Sequence, residues 1–193
     1  MVRILDLEKY AKENNIPIML PDGIEFMLDY IKKNNIQNIL EIGTAIGYSA
    51  IRMCLVDNNI KVTTIERDAK RYQEALKNIK EFNLENRINV ILSDALDIEL
   101  KDKYDFIFID AAKSQYINFF NKFKVNLKEN GTIFSDNLAF HGMVEKPLEE
   151  IESRNVRGIV RKLNNYIDFL KNNEEFTTTF YEIGDGISIS IKN

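Results

Sequence analysis

The chain has 193 residues, 29% of them charged and 45% hydrophobic, with a formal net charge of −4. That length suits one domain with a sizeable core, and the mild acidity predicts no strong non-specific attraction to nucleic acid, so any basic patch must be argued locally. A single cysteine, Cys54, excludes an internal disulfide and fits a reducing cytoplasm; no signal peptide or membrane span is readable.

Helix-like and strand-like segments alternate along the chain. Residues 5–15 and 23–35 read as helices around the stretch IPIMLPD. NILEIG (38–43) reads as a buried strand, and residues 47–57 as the helix after it. KVTTIER (61–67) is a second strand, followed by an amphipathic helix over 69–83, and INVILSD (88–94) is a third. YDFIFID (104–110) is the fourth strand, with a helix expected over 114–127, and GTIFSDN (131–137) is the fifth. A loop then leads to a long helix near 150–172. Two last strands meet at Gly184–Asp185–Gly186, a hairpin signal. Repeated β-α units predict a parallel, doubly wound sheet. The last two strands are joined too tightly for a parallel crossover and must be antiparallel.

In such sheets ligands bind at the carboxyl ends of the strands. EIGTAIGYS (41–49) joins the first strand to its helix, and Gly43 and Gly47 allow a sharp turn and close approach to a ligand. The spacing is neither G-x-G-x-x-G nor a P-loop. Glu66 ends the second strand, about twenty residues on, where an acid binds ribose hydroxyls in nucleotide-binding α/β proteins. Asp94 and Ala95 end the third strand, where they can meet an adenine edge. A ribose and base without a phosphate cradle point to S-adenosylmethionine. Asp110 ends the fourth strand, and Asp136 and Asn137 end the fifth. Parallel neighbours lie about 4.8 Å apart, so these three oxygens can converge on a hard cation. Mg²⁺ suits them best, with Mn²⁺ or Ca²⁺ as alternatives. Lys113 is placed to act as general base. A lysine in a helix's first turn opposes the dipole, which hints at a functional reason for it. His141 reads as a loop residue.

The stretches EIGTAIGYSA, TIERD, SDAL, FIDAAKSQY and SDN follow one another in an order that resembles the cation-dependent O-methyltransferases, among them the catechol and caffeoyl-coenzyme A methyltransferases. Within that family, IPIMLPDG, IFIDAAKSQYINFF and YEIGDGISIS look most like bacterial tRNA 5-hydroxyuridine methyltransferases. The resemblance implies a class I methyltransferase Rossmann-like fold: a doubly wound seven-stranded sheet with a C-terminal antiparallel hairpin. It implies one domain over 1–193, with 1–35 as a helical segment packed on it, and a cytoplasmic homodimer. It implies that Met19, Gly43, Ser49, Glu66, Asp94, Ala95 and Asp110 contact the cofactor. It makes Asp110, Asp136 and Asn137 the metal ligands and Lys113, beside Asp110, the catalytic lysine. Only a short stretch precedes IPIML, where the family commonly has a longer helical segment.

The acceptor implied is a hydroxyl beside a second oxygen. Two substrates offer that: 5-hydroxyuridine at the tRNA wobble position, and a small catechol-like molecule. On the late helix, at about 100° per residue, Arg154, Arg157 and Arg161 fall on one side, opposite Val156, Ile159, Val160, Leu163, Ile167 and Leu170. The apolar side is core. The arginine side is either solvated surface or a phosphate-binding strip.

Overall fold

The computed structural model describes residues 3–193. Seven strands form one sheet in the order β3-β2-β1-β4-β5-β7-β6. They are β1 (Asn38–Ile42), β2 (Lys61–Glu66), β3 (Ile88–Leu92), β4 (Tyr104–Ile109), β5 (Leu127–Ser135), β6 (Phe176–Tyr181) and β7 (Ile187–Lys192). Strands β1 to β5 are parallel, and β7 runs antiparallel to both β5 and β6. This is the doubly wound, seven-stranded sheet with an antiparallel end that the sequence predicts.

Among the described residues six α-helices flank the sheet: α1 (Ile4–Glu13), α2 (Pro21–Lys33), α3 (Tyr48–Val56), α4 (Ala69–Glu81), α5 (Tyr116–Phe123) and α6 (Arg154–Lys171). The period-2 alternation of strand side chains divides the core. Ile39, Phe106, Phe108 and Phe134 pack with residues of α1 to α4. Leu40, Ile107, Ile109 and Ile133 pack with α5 and α6. Central strands covered on both faces must be apolar almost throughout, which is why NILEI and YDFIFI carry so few polar residues.

Several boundaries differ from the sequence reading. Helix α5 stops at Phe123, a 3-10 turn spans Lys124–Asn126, and β5 starts at Leu127. The β4–β5 register shifts between Tyr104 and Phe106, so an irregular pairing occupies what looks in sequence like a helix end and a loop. The hairpin strands end at Tyr181 and begin again at Ile187, giving a five-residue connection. The long helix starts at Arg154, where the Ser153 hydroxyl accepts from the Val156 amide at 3.4 Å. On it Tyr166 is buried and its hydroxyl shares a 2.7 Å hydrogen bond with Ser135. Ile167, expected on the core side, is only half-buried.

Candidate active site

The strand order reverses between β1 and β4, so the connections leaving their carboxyl ends run to opposite faces of the sheet and leave a crevice. Gly43 sits where the two strand ends touch. Its φ is +104°, and a Cβ there would lie 2.1 Å from the Asp110 carbonyl oxygen. Only glycine lets β1 leave the sheet so close to β4. A cavity of about 460 Å³ opens here. Every residue expected to hold a cofactor or ion lines it: Met19, Gly43, Ser49, Glu66, Asp94, Ala95, Asp110, Asp136 and Asn137, and so does Lys113, the expected general base.

The half of the cavity above β1 to β3 is a set of oriented acceptors. The Glu66 carboxylate is 7% exposed, and its two oxygens accept from the Ala45 and Asp68 amides at 2.9 Å each. Those bonds fix the carboxylate and leave further lone pairs for a diol. Asp94 Oδ1 accepts from the Leu96 amide at 2.9 Å, and Arg67 lies 3.7 Å from Asp94 Oδ2. Met19, 4% exposed, closes one wall from the loop between α1 and α2. Glu66→Ala should cost nucleoside binding about 1.5–3 kcal/mol, the usual value for a hydrogen bond to a charged group. Calorimetry that finds unchanged affinity in a folded variant removes Glu66 from the site.

Beneath this half lies a network the sequence reading missed. Glu41 is fully buried and accepts from the Ser49 and Thr64 hydroxyls. Burial pushes its carboxyl up to about 8, against the two hydroxyl donors. In sequence Glu41 is one acid in an apolar strand, and nothing local tells an inward from an outward position.

The half above β4 and β5 carries the acids. Asp136 is 1% exposed, and its Oδ1 has no hydrogen-bond partner among the described residues. Burial raises its carboxyl to about 7, with the Asp110 charge acting in the same direction. Asp110 is also raised by loss of water, while the Lys113 ammonium pulls the other way. An orphaned buried carboxylate oxygen beside a second desolvated carboxylate needs a proton or a cation. The Asn137 Oδ1 accepts from Lys113 Nζ at 2.8 Å, and that ammonium also lies 5.8 Å from the centroid of the Phe140 ring. Among the described residues no three His, Cys, Asp or Glu side chains group around one point. An ion here would therefore rest on two carboxylates and an amide, and hard oxygen donors of that kind fit Mg²⁺ with water completing its shell.

His141, read from sequence as a loop residue, lines the cavity, as does Asp185 of the β6–β7 connection. The arginines of α6 lie outside it. Arg154, Arg157 and Arg161 line an open groove of about 710 Å³ together with Ser114 and Lys162. A recess of about 210 Å³ is lined by Lys113, which also lines the cavity, and by Ser114 and Lys162, which also line the groove. The three arginines are not equivalent. Arg157 donates to the Ile151 and Glu152 carbonyls at 2.6 and 3.3 Å, which ties its guanidinium to the preceding loop. Arg154 and Arg161 are exposed.

The profile of the O-methyltransferase family matches residues 3–193. A caffeoyl-CoA O-methyltransferase of Stellaria longipes is 30% identical over 176 residues, covering 86% of this chain and 70% of that one. The flavonoid 3',5'-methyltransferase of Vitis vinifera is 27% identical over 197 residues, covering 96% and 81%. Among solved structures, a provisionally assigned caffeoyl-CoA O-methyltransferase from Staphylococcus aureus superposes with a TM-score of 0.95 at 38% identity, covering 100% of this chain and 93% of that one. An O-methyltransferase from Bacillus cereus in complex with SAH superposes at 0.83 with 23% identity, covering 98% and 90%, a likeness of fold. With the profile spanning all the described residues, this chain belongs to the O-methyltransferase family.

Proposed function

We propose that this chain transfers the methyl group of S-adenosylmethionine to a hydroxyl oxygen that lies beside a second oxygen, that it needs a divalent cation to do so, and that the acceptor is 5-hydroxyuridine at the tRNA wobble position. The observation that carries the cation requirement is the pair Asp110 and Asp136 with the orphaned Asp136 Oδ1. The bound Bacillus cereus relative holds SAH, the demethylated product of the same cofactor. The cavity, with Glu66 and Asp94 at successive strand ends, suits its nucleoside.

Asp110, Asp136 and Asn137 would hold the ion. When bound, a divalent cation of this kind lowers the pKa of a coordinated hydroxyl and orients it. The chain's own residues do the rest. Glu66 and Asp94 fix the nucleoside end, and Asp110 lies toward the methionine end. Lys113 Nζ, half-buried and 2.8 Å from Asn137 Oδ1, takes the acceptor's proton in its neutral amine form and passes it on to solvent. Holding acceptor oxygen and methyl donor in line removes most of the entropic part of the barrier.

The acid pair does not discriminate between a catechol and a 5-hydroxyuridine, because both offer a hydroxyl next to a second oxygen. The tRNA reading is supported by the groove of Arg154, Arg161 and Lys162, which shares Ser114 and Lys162 with a recess that Lys113 also lines and suits a phosphate backbone. A small catechol-like acceptor is the second reading, favoured by relatives named for caffeoyl-CoA and flavonoid substrates. Exchanging both Arg154 and Arg161 for Gln separates the two. Arg157 is left in place because it braces the loop. For tRNA the apparent KM should rise, and the salt dependence should flatten by about one unit of slope for each phosphate no longer neutralised. Turnover of a free catechol should stay near wild type. Failure to methylate 5-hydroxyuridine-containing tRNA at low salt with Mg²⁺, alongside efficient turnover of a catechol, would leave the small-molecule reading.

A further inference from the structure

The β6–β7 connection does more than turn the chain. Its Asp185 side chain is 4% exposed and reaches back to residues 44 to 48 positions earlier in the sequence. Oδ1 accepts from the His141 amide, and Oδ2 accepts from Asn137 Nδ2 at 3.3 Å. The His141 ring nitrogen Nδ1 lies 3.5 Å from the same Oδ2.

The backbone around it is interlocked. The Ala139 amide donates to the Asp185 carbonyl at 2.7 Å and the Leu138 amide to the Gly186 carbonyl at 2.9 Å. A Cβ on Gly186, whose φ is +83°, would lie 2.6 Å from the Ala139 nitrogen. From the other side, the Gly184 amide donates to Asp22 Oδ2 at the start of α2, 3.2 Å away. Asp185 is thus held by its own backbone and cannot follow Asn137 if that side chain rotates.

The chemistry of the two neighbours of Asn137 is complementary. An ionised carboxylate only accepts hydrogen bonds, and an ammonium only donates. Asp185 therefore takes the amide nitrogen, and Lys113 Nζ, 2.8 Å from Oδ1, takes the oxygen. A flipped amide would set its N–H₂ group against the ammonium and its oxygen against the carboxylate.

We propose that Asp185 is a positioning residue: it locks the Asn137 amide with its nitrogen on the carboxylate and its oxygen turned to the Lys113 side of the cavity, and it ties the Phe140–His141 loop to the same anchor. This rests on the reading of Asn137 as a cation ligand. Groups that orient metal ligands typically change metal affinity or activity by about 10- to 100-fold when replaced.

The test is calorimetric titration of Mn²⁺ into protein saturated with S-adenosylhomocysteine, for wild type, Asp185→Ala and Asp185→Asn. Asp185→Ala should weaken Mn²⁺ binding about 10- to 100-fold with cofactor affinity essentially unchanged. Asp185→Asn keeps one acceptor oxygen and should lose less. That variant also carries the test if Asp185→Ala does not fold. Wild-type Mn²⁺ affinity in the folded variants would overturn the proposal and leave the cation reading standing. Loss of Mn²⁺ and cofactor binding together in both variants would also overturn it, because a general disturbance of the turn predicts that. A wild-type protein that binds no Mn²⁺ would overturn the cation reading and this proposal with it.

Discussion

Asp136→Asn should abolish methyl transfer and at the same time stabilise the cation-free protein above neutral pH. The two effects have one cause. The Asp136 carboxyl is raised to about 7 by burial and by Asp110, whereas an unfolded chain has it near 3.9. The folded state therefore holds a proton that the unfolded state has released. Its stability falls as pH rises through the window from about 4 to about 7, and the full penalty stands above that. Asp110, raised in the same direction, adds to the slope. The amide in Asp136→Asn removes the penalty, so without cation its Tm should exceed wild type at about pH 8 and match it near pH 4. A divalent cation competes with the proton for the same oxygens. Mg²⁺ should then raise the wild-type Tm more at about pH 8 than at about pH 6, and should have little effect on the variant. Thermal melts in chelator and in Mg²⁺ check both statements. Equal Mg²⁺ stabilisation of wild type and variant would place the ion elsewhere.

Lys113→Met should lower kcat by about 10²–10⁴-fold, the usual contribution of a positioned acid or base, with cofactor affinity little changed. The ammonium is held between Asn137 Oδ1 and the Phe140 ring at the cavity wall. The defect should shrink as pH rises, because a growing fraction of acceptor is then already ionised. A wild-type rate at neutral pH would make Lys113 a structural partner of Asn137 and nothing more.

Much of this site was legible because strands carry it. An apolar run that ends in an acid marks both the strand and its carboxyl end, and the parallel topology brings such ends together. Glu66, Asp94, Asp110 and Asp136 were found that way, from four separate segments. The arginine face of α6 was legible from helical period, but the commitment of Arg157 to the Ile151 and Glu152 carbonyls was not, because it depends on where the preceding loop folds. Tyr166 was missed for a related reason. Its hydroxyl makes it ambiguous in a hydrophobic pattern, and only the buried Ser135 partner explains its inward position. Asp185 looked like a turn residue because Gly-Asp-Gly is a turn signal. Its hydrogen bonds to Asn137 and His141 span more than forty residues and leave no local trace. The start of β5 was misplaced because the register shift against β4 has no period of its own.

The central claim is cation-dependent transfer of a methyl group from S-adenosylmethionine to an oxygen. It is tested most directly by mass spectrometry of acceptors incubated with purified protein and isotopically labelled S-adenosylmethionine. The acceptors are 5-hydroxyuridine-containing tRNA and a catechol, each with Mg²⁺ and with excess chelator. The account predicts labelled methyl on an acceptor oxygen with Mg²⁺, none in chelator, and recovery when Mg²⁺ is restored. Equal product in chelator, or no labelled product from either acceptor with Mg²⁺, would contradict it.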